Sequence, residues 1–275
     1  MSIDDIIKRI DELKSEINGY RPLNIEQEQR LLQKIRFDWN FHSNNIEGNT
    51  LTYGETKSLL LWGITADGKP LRDHLEIKGH NEAVEYIMEI IKGKDINITE
   101  HFIRALHSII IPEELEIKSI TSEGLPTSRS IIPGRYKTQP NNVVTQTGEM
   151  YYFTSPEETP PKMNELVNWY NEEISKNQLH PLVIASIFHY KFVRIHPFDD
   201  GNGRMARLLM NIILLKFGYP PLIIESTLRN DYLNSLQYAD SGDIEKFIMF
   251  ISERLTESLE LWLKLAKGEL VIDEF

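Results

Sequence analysis

Several common features are missing from this chain of 275 residues. It contains no cysteine, which excludes disulfide bonds and thiolate metal sites. No apolar run approaches the roughly 18 residues that a membrane-spanning helix needs, so we expect no membrane partner. The first residues are acidic and lead into a helical pattern, unlike a secretory signal peptide. We therefore predict a cytoplasmic protein.

Dense clusters of positive charge are also missing. The chain has 30 Lys and Arg residues against 41 Asp and Glu residues, which gives a formal net charge of −11. A nucleic-acid-binding protein normally carries a basic patch or stripe, so we expect no nucleic-acid partner. A free nucleotide is compatible with this charge, because a few arginines can dominate the potential inside a concave site.

Apolar residues recur at helical spacing along most of the chain. The first such set is Ile3, Ile6, Ile7, Ile10, Leu13 and Ile17. Periodicity, capping residues and prolines predict further helices at about residues 25–40, 52–62, 75–93, 99–111, 161–176, 181–194, 202–217, 230–239 and 243–267. Residues 113–135 contain Pro, Gly, Ser and Thr without periodicity, and we predict a long loop there.

Only one pair of strands is predicted. Residues 142–145 and 150–153 flank a turn that contains glycine, which is typical of a β-hairpin. The chain has no internal repeat, no low-complexity segment and no obvious linker. We therefore predict an all-α fold, in which a helical bundle carries one small hairpin and an N-terminal helical extension.

One stretch concentrates most of the chemistry: His-Pro-Phe-Asp-Asp-Gly-Asn-Gly-Arg-Met-Ala-Arg at residues 196–207, between two apolar helical segments. Gly201 and Gly203 permit positive φ and a close approach of the backbone to a ligand. The following helix would direct its N-terminal amides and positive dipole end at the same place. Arg204 and Arg207 are three residues apart on one helix face, and guanidinium groups bind phosphate oxygens bidentately. The pattern predicts a phosphate site.

Two other side chains complete the predicted site. Asp200 supplies the single carboxylate that Mg²⁺ commonly takes while phosphates and waters provide its remaining ligands, and Mn²⁺ can substitute. His196 titrates near neutral pH, which suits a general base that deprotonates an incoming hydroxyl. A base, a metal ligand, backbone amides and two arginines together favour a nucleoside triphosphate as substrate.

The same twelve residues resemble the signature of the Fic family, His-Pro-Phe-x-Asp/Glu-Gly-Asn-Gly-Arg-x-x-Arg, at every specified position. The likeness extends over most of residues 43–265. Proteins with this signature are mostly adenylyltransferases, which transfer AMP from ATP to a Ser, Thr or Tyr hydroxyl of a target protein. The resemblance implies the Fic fold, with an N-terminal helical extension at residues 1–40 and a Fic domain at residues 41–267.

The resemblance also implies residue roles. His196 would be the general base, Asp200 would bind the metal, and Phe198 would be a buried anchor. Nucleotide binding is implied for a wider set: Asp200, Gly201, Asn202, Gly203, Arg204, Arg207, Tyr232, Leu233 and Asp240. Asn202 and nearby amides would hold the α-phosphate, and the two arginines the β- and γ-phosphates. Leu233 and Asp240 stand where relatives often carry Tyr and Asn, so this chain departs from the family pattern on the side of the site that recognises the base.

A hairpin at residues 136–153 resembles the family flap, whose backbone pairs with an extended segment of the target protein. The residues expected to dock the target are Asn142, Val143, Val144 and Thr145. An ordinary surface hairpin remains the alternative.

Residues 43–48, Ser-Asn-Asn-Ile-Glu-Gly, resemble the family's inhibitory motif, Ser/Thr-x-x-x-Glu-Gly/Asn. By this resemblance, Ser43, Glu47 and Gly48 form an inhibitory segment in which Glu47 pairs with Arg207. That pairing would withhold Arg207 from the γ-phosphate, so that ATP binds in a pose unsuited to attack. We predict autoinhibition and a strong rise in activity on Glu47→Gly.

Other functions stay open. In some relatives the corresponding glutamate positions a water that removes AMP, so the same site could act as a phosphodiesterase. The protein could also be a catalytically silent nucleotide-binding module. His189, with Asp199 and Asp200, could belong to a metal-dependent phosphohydrolase, although packing inside a helix bundle is the commoner reason for such a histidine. Six other histidines, His107 among them, show no ligand spacing. Relatives often form dimers, so a homodimer is a further expectation.

Overall fold

Helices dominate the computed structural model, which describes residues 2–93, 96–120, 126–144 and 150–270. Within those ranges the α-helices are α1 Ile3–Gly19, α2 Ile25–Ile46, α3 Tyr53–Trp62, α4 Leu71–Ile90, α5 Glu100–Ile110, α6 Thr159–Lys176, α7 Pro181–Ile195, α8 Asn202–Lys216, α9 Arg229–Asp240 and α10 Ile244–Ala266. The strands are β1 Leu115–Ile120, β2 Pro126–Ile131, β3 Val143–Val144 and β4 Met150–Tyr151. The predicted all-α class is confirmed. None of the described helices has the length and apolar character needed to span a membrane.

Helix α8 lies at the centre of the bundle. Its residues Leu208, Leu209 and Met210 are fully buried, as are Ile212, Ile213 and Leu214. A helix that is apolar on all sides is stable only when other elements surround it, and α7 packs directly against it. Since α7 and α8 are the two helices joined by residues 196–201, the loop between them is anchored at both ends in the core.

The N-terminal helix α1 belongs to the same core. Its buried stripe consists of Ile6, Ile10, Leu13 and Ile17, and the helix packs against α10. Helix α2 then continues past residue 40 to Ile46 without a break. The predicted boundary between an N-terminal extension and the Fic domain at residue 40 therefore falls inside α2. The extension stays a prediction.

The region predicted as a long loop is instead a hairpin. Strands β1 and β2 pair antiparallel, from Leu115 opposite Ile131 to Ile120 opposite Pro126. The expectation of a single strand pair was therefore wrong. Turn-forming residues dominated the composition of this stretch, whereas cross-strand pairing is a non-local interaction that composition does not report.

Two helices are longer than predicted, and both extensions matter for the site. Helix α4 begins at Leu71 rather than near residue 75, directly after Pro70, whose fixed φ suits a helix start. Helix α2 ends at Ile46 rather than near residue 40, so that Glu47 becomes its C-terminal cap. The predicted hairpin at residues 142–153 is present as the short pair β3 and β4, in which Val143 faces Tyr151. Thr145 lies outside the described residues.

Candidate active site

The loop between α7 and α8 is closed by its own side chains. His196 caps α7 with φ of 51° and donates its backbone N–H to the Phe192 carbonyl at 3.0 Å. Asn202 Oδ1 accepts the Phe198 N–H at 2.9 Å, and Asn202 Nδ2 donates to the Phe198 carbonyl at 2.7 Å. The Asn202 side chain therefore shapes the loop, and any contact of this residue with a phosphate would come from its backbone. Gly201 starts the next helix with φ of 78°, a conformation that glycine adopts without strain.

Residues from the segment before β3 hold the same loop from one side. Lys137 donates its backbone N–H to the Pro197 carbonyl at 2.8 Å and its buried ammonium to the Ile195 carbonyl at 3.2 Å. Asn141 Nδ2 donates to the carbonyls of His196 at 3.1 Å and Phe198 at 2.7 Å. The sequence gives no sign of these roles for Lys137 and Asn141, because neither belongs to a recognisable motif.

A buried histidine supports the loop from the other side. The imidazole of His107 stacks on Phe198 with ring centroids 3.8 Å apart. Its Nδ1 accepts the Gly134 N–H at 2.9 Å and its Nε2 donates to the Asp200 carbonyl at 3.1 Å. Burial lowers the pKa of His107 to about 4, against the opposing effect of the Asp200 carbonyl. The neutral ring therefore accepts and donates one hydrogen bond each, which fixes its tautomer.

His196, at the start of the loop, is placed to accept a proton from an incoming hydroxyl. Its ring stacks on Phe153, which follows β4, at a centroid distance of 3.8 Å. Burial first, and then the Lys137 ammonium, lower the pKa of His196 to about 4, although Glu47 and Asp200 act in the opposite direction. The imidazole is consequently neutral at pH 7, which is the form that can accept a proton.

The predicted pair of Glu47 and Arg207 is present. Arg207 Nη2 lies 2.7 Å from Glu47 Oε1, and the same guanidinium donates to the Ser43 hydroxyl at 3.0 Å and to the Ser43 carbonyl at 2.7 Å. The pKa of Arg207 is raised because the attraction of Glu47 outweighs the effect of burial. Ser43 and Glu47 come together because both lie at the C-terminal end of α2, and Gly48 then reverses the chain with φ of 96°.

The absence of a side chain at Gly203 makes room for the Glu47 carboxylate. A Cβ atom at position 203 would lie 2.1 Å from Glu47 Oε1 and 3.2 Å from Arg207 Nη1. The first distance is shorter than atomic contact allows, so the carboxylate rests directly against the backbone of the first turn of α8. The positive end of the α8 dipole favours an anion at this position.

The second arginine has a different set of partners. Arg204 Nη2 lies 3.4 Å from Asp200 Oδ2 and 3.8 Å from Glu76 Oε1, and its side chain is only 2% exposed. Arg72, on the first turn of α4, lies 2.7 Å from Asp200 Oδ2. Burial raises the pKa of Asp200, but the attraction of Arg204 and Arg72 outweighs it, so the net pKa is lowered. Asp200 is therefore an ionised carboxylate flanked by two guanidinium groups.

The metal interpretation rests on Asp200 alone. In the described part of the chain, no group of three or more His, Asp and Glu side chains has the arrangement of a metal site. A single carboxylate suits a cation that receives its other ligands from phosphates and water.

The residues expected near the base lie in three different environments. Tyr232 is buried, with its hydroxyl 3.0 Å from His189 Nε2 and its ring 6.0 Å from the Arg207 guanidinium. Leu233 is half-buried against the core. Asp240 is exposed and accepts the Tyr151 hydroxyl at 2.7 Å. The structure thus brings Tyr232 to the arginine site and Asp240 to the flap.

His189 is a packed core histidine. It lies between Tyr232 and Phe247, and burial lowers its pKa to about 3. A ring enclosed by two aromatic side chains has little room for a metal ion, which favours the packing interpretation over the phosphohydrolase.

The flap is open to solvent on one side. Val143 is 46% exposed and β3 pairs only with β4 among the described strands. Asn142 Oδ1 accepts the Phe153 N–H at 3.1 Å, which fixes the base of the hairpin. Val144 pairs with Met150 through the backbone. An exposed edge strand can accept an extended peptide segment.

Comparison with known proteins agrees with this geometry. The solved structure of a Fic domain containing signaling protein from Bacteroides thetaiotaomicron superposes with a TM-score of 0.85 at 40% sequence identity, covering 97% of this chain and 99% of that one. The chain belongs to the Fic family. A model of the Fic/DOC family matches residues 97–214, which include the Fic motif at residues 196–207. Fic-1 from C. elegans superposes with a TM-score of 0.79 at 27% identity, covering 98% of this chain and 74% of that structure.

Curated relatives are longer proteins. Protein adenylyltransferase Fic of Nematostella vectensis is 32% identical over 263 residues, which cover 95% of this chain and 55% of that protein. The Drosophila grimshawi protein of the same name is 33% identical over 254 residues, which cover 92% and 48%. This Fic-family chain spans about half the length of the curated relatives that it matches.

Proposed function

We propose that this Fic-family protein is a protein adenylyltransferase that Glu47 holds in an inhibited state. The observation that carries the proposal is the ion pair of Glu47 and Arg207. Its carboxylate lies against the backbone of Gly203 in the first turn of α8. A carboxylate bound in this position marks an anion site, and the adenylyltransferase names of the relatives indicate which anion it is.

In the proposed reaction a Ser, Thr or Tyr hydroxyl of a target protein attacks the α-phosphorus of ATP. The bond from that phosphorus to the oxygen bridging the β-phosphate breaks, and pyrophosphate leaves. The hydroxyl proton passes to the imidazole of His196, which is neutral and therefore able to accept it. No covalent enzyme intermediate is required, because positioning and charge stabilisation account for most catalysis of this type.

The Fic motif supplies the charge stabilisation. Arg204 and Arg207 lie on one face of α8 and would bind the β- and γ-phosphates, while the backbone amides near Gly201, Asn202 and Gly203 would face the α-phosphate. The buried Nη1 atoms of both arginines have no hydrogen-bond partner in the described structure, which supports a role in holding a ligand. Tyr232, Leu233 and Asp240 are proposed to form the adenosine side of the site.

A divalent cation fits Asp200 as one carboxylate ligand. We propose Mg²⁺, for which Mn²⁺ can substitute, and the ion would neutralise phosphate charge when bound. Asp200 is held in its ionised form, which is the form a cation requires.

Docking of the target is proposed at the flap. The backbone of residues 142–145 would pair with an extended segment of the target protein that carries the reacting hydroxyl. The exposure of Val143 and the open edge of β3 support this role. We further propose a cytoplasmic location, which suits a chain without cysteine, and a homodimer, which rests on family resemblance.

Hydrolytic removal of AMP is the second candidate. The Glu47 carboxylate is 39% exposed, and its charge acts on both Arg207 and His196. A carboxylate between an arginine and a neutral histidine could orient a water for attack on an adenylylated side chain.

Intact-protein mass spectrometry tests the proposal. Wild type, Glu47→Gly and Glu47→Gly/His196→Ala are each incubated with Mg-ATP. We expect self-modification by one AMP in the single variant, weak or no modification in wild type, and loss of on the order of 10²-fold or more in the double variant.

No adduct in any variant, despite ATP binding measured by calorimetry, would contradict the transferase proposal. Where Glu47→Gly does form the adduct, incubation of that purified adduct with each variant, in Mg²⁺ and without ATP, tests the hydrolase. Release of AMP by wild type, but not by Glu47→Gly, would identify the hydrolytic activity.

A further inference from the structure

The Asp200 carboxylate is already paired with arginine side chains of its own chain. Arg72 Nη2 lies 2.7 Å from Oδ2, and Arg204 approaches the same oxygen to 3.4 Å. The other oxygen, Oδ1, accepts the Gly201 N–H at 2.6 Å. Both oxygens that a divalent cation would use are therefore engaged in bonds within the protein.

Arg72 is itself fixed in this position. Its Nε donates to Glu76 Oε1 at 2.9 Å, one turn further along α4. Glu76 Oε2 in turn accepts Asn49 Nδ2 at 3.1 Å, and Asn49 follows the inhibitory Glu47 by two residues. The guanidinium of Arg72 thus bridges two carboxylates, and this arrangement connects α4 to the segment that carries Glu47.

The space around these groups is small. Arg72, Glu76, Asp200 and Arg204 line a cavity of about 10 Å³. That volume holds about one water molecule. A protein-bound Mg²⁺ ion usually keeps several waters in its octahedral shell, so it needs more room than this cavity offers. The metal can reach Asp200 from this side only after a neighbouring group has moved away.

Arg72 and Arg204 differ in their freedom to move. The Arg204 side chain is 2% exposed and enclosed by the bundle, whereas the Arg72 side chain is 47% exposed. Rotation of Arg72 moves its guanidinium from a half-exposed position into water, but the same movement of Arg204 is blocked by packing. Arg72 is therefore the partner of Asp200 that can be exchanged.

We propose that Arg72 is a positioning residue that serves as the internal counter-cation of Asp200. It holds the carboxylate in its observed orientation when no metal is bound, and Mg²⁺ displaces it. This inference rests on the proposed role of Asp200 as metal ligand. Because Mg²⁺ must replace an existing ion pair, Arg72 weakens the apparent affinity of the site for the metal.

Calorimetric titration with the ATP analogue AMP-PNP tests the inference without reference to activity. Affinity is measured in saturating Mg²⁺ and in excess EDTA, and the ratio of the two affinities gives the metal effect. All variants are made in the Glu47→Gly protein, the parent, in which Arg207 has lost its pairing with Glu47. Since Mg²⁺ binds the free analogue equally in every titration, differences between variants report on the protein.

We expect Arg72→Gln to increase the metal effect by about three- to five-fold, as is usual for loss of a half-exposed ion pair. Arg72→Lys, which keeps the charge, should return it to within about two-fold of the parent on the same grounds. Lys78→Gln, the matched control, removes a positive charge from an exposed position of the same helix and should leave the ratio unchanged.

An unchanged ratio in Arg72→Gln would overturn the inference. If that unchanged ratio comes with weaker binding of AMP-PNP in EDTA, Arg72 is a phosphate ligand instead. Asp200→Asn separates failure of the inference about Arg72 from failure of the proposed metal site. If it leaves the metal effect intact, the proposed metal role of Asp200 itself is wrong.

Discussion

The Fic motif loop and the outer part of the flap, residues 142–144 and 150–153, touch each other through His196 and Phe153, yet the protein holds them very differently. In the loop, Phe198 and Asn202 are buried, and the backbone is bonded to side chains from several directions. In the flap, Tyr152 is 69% exposed. The groups proposed for chemistry are thus preorganised, whereas the surface proposed for the target remains accessible. Rigid support suits a reacting site, and an open strand edge suits a partner that arrives as an extended segment.

The largest expected difference concerns stability. Phe198→Ala removes a fully buried ring and its stacking on His107, and should lower the free energy of unfolding by about 3–5 kcal/mol. Tyr152→Ala, the matched change in the flap, should alter it by no more than about 0.5 kcal/mol. Urea unfolding followed by circular dichroism measures both. Equal losses would show that the flap is as firmly packed as the loop.

The second difference concerns pH. The pKa of His107 is about 4 in the folded protein and about 6.5 when unfolded, so only the unfolded state gains a proton as pH falls through this range. Its contribution to stability is complete above pH 6.5 and is lost as pH falls towards 4. His107→Gln should therefore flatten the dependence of unfolding free energy on pH by up to about 1.4 kcal/mol per unit.

The flap segment, residues 136–153, contains no histidine and should not share this dependence. Amide exchange of Val143 and Val144, measured at several pH values and corrected for intrinsic rates, provides the comparison. An unaltered pH slope in His107→Gln would mean that the pKa of His107 is the same in the folded and unfolded states.

The smallest expected effect is that of Tyr151→Phe. The Tyr151 hydroxyl donates to Asp240 at 2.7 Å and contacts Arg194, and these are the polar links from β4 to α7 and α9. At a half-exposed site their loss should cost about 0.5–1 kcal/mol and accelerate amide exchange in β3 and β4. A loss above about 2 kcal/mol would instead make this hydroxyl a principal support of the flap.

Local pattern was sufficient for most helices and for the centre of the site. The Fic motif is contiguous, so its twelve residues reveal the loop, the glycines and both arginines together. The pairing of Glu47 with Arg207 joins positions 160 residues apart, and only family resemblance could suggest it. The hairpin of β1 and β2 was missed, because its turn-rich composition carries no record of the partner strand.

The supporting residues of the loop could not be found in the same way. His107, Lys137 and Asn141 act through backbone carbonyls and amides, which exist at every position and leave no trace in sequence. Arg72 was missed for a simpler reason. The predicted start of α4 fell near residue 75, and a residue outside the helix could not be placed on the face that meets Asp200.

The absence of a side chain at Gly203 has a consequence for regulation. The carboxylate of Glu47 occupies volume next to this backbone that no second anionic group can share. An incoming phosphate must therefore displace a competitor that belongs to the same chain and cannot diffuse away. Tethered groups of this kind have effective concentrations on the order of millimolar or above. In the proposed function, nucleotide would compete at Gly203 against a fixed internal concentration of carboxylate, and any event that moves the end of α2 would change that concentration rather than the site itself.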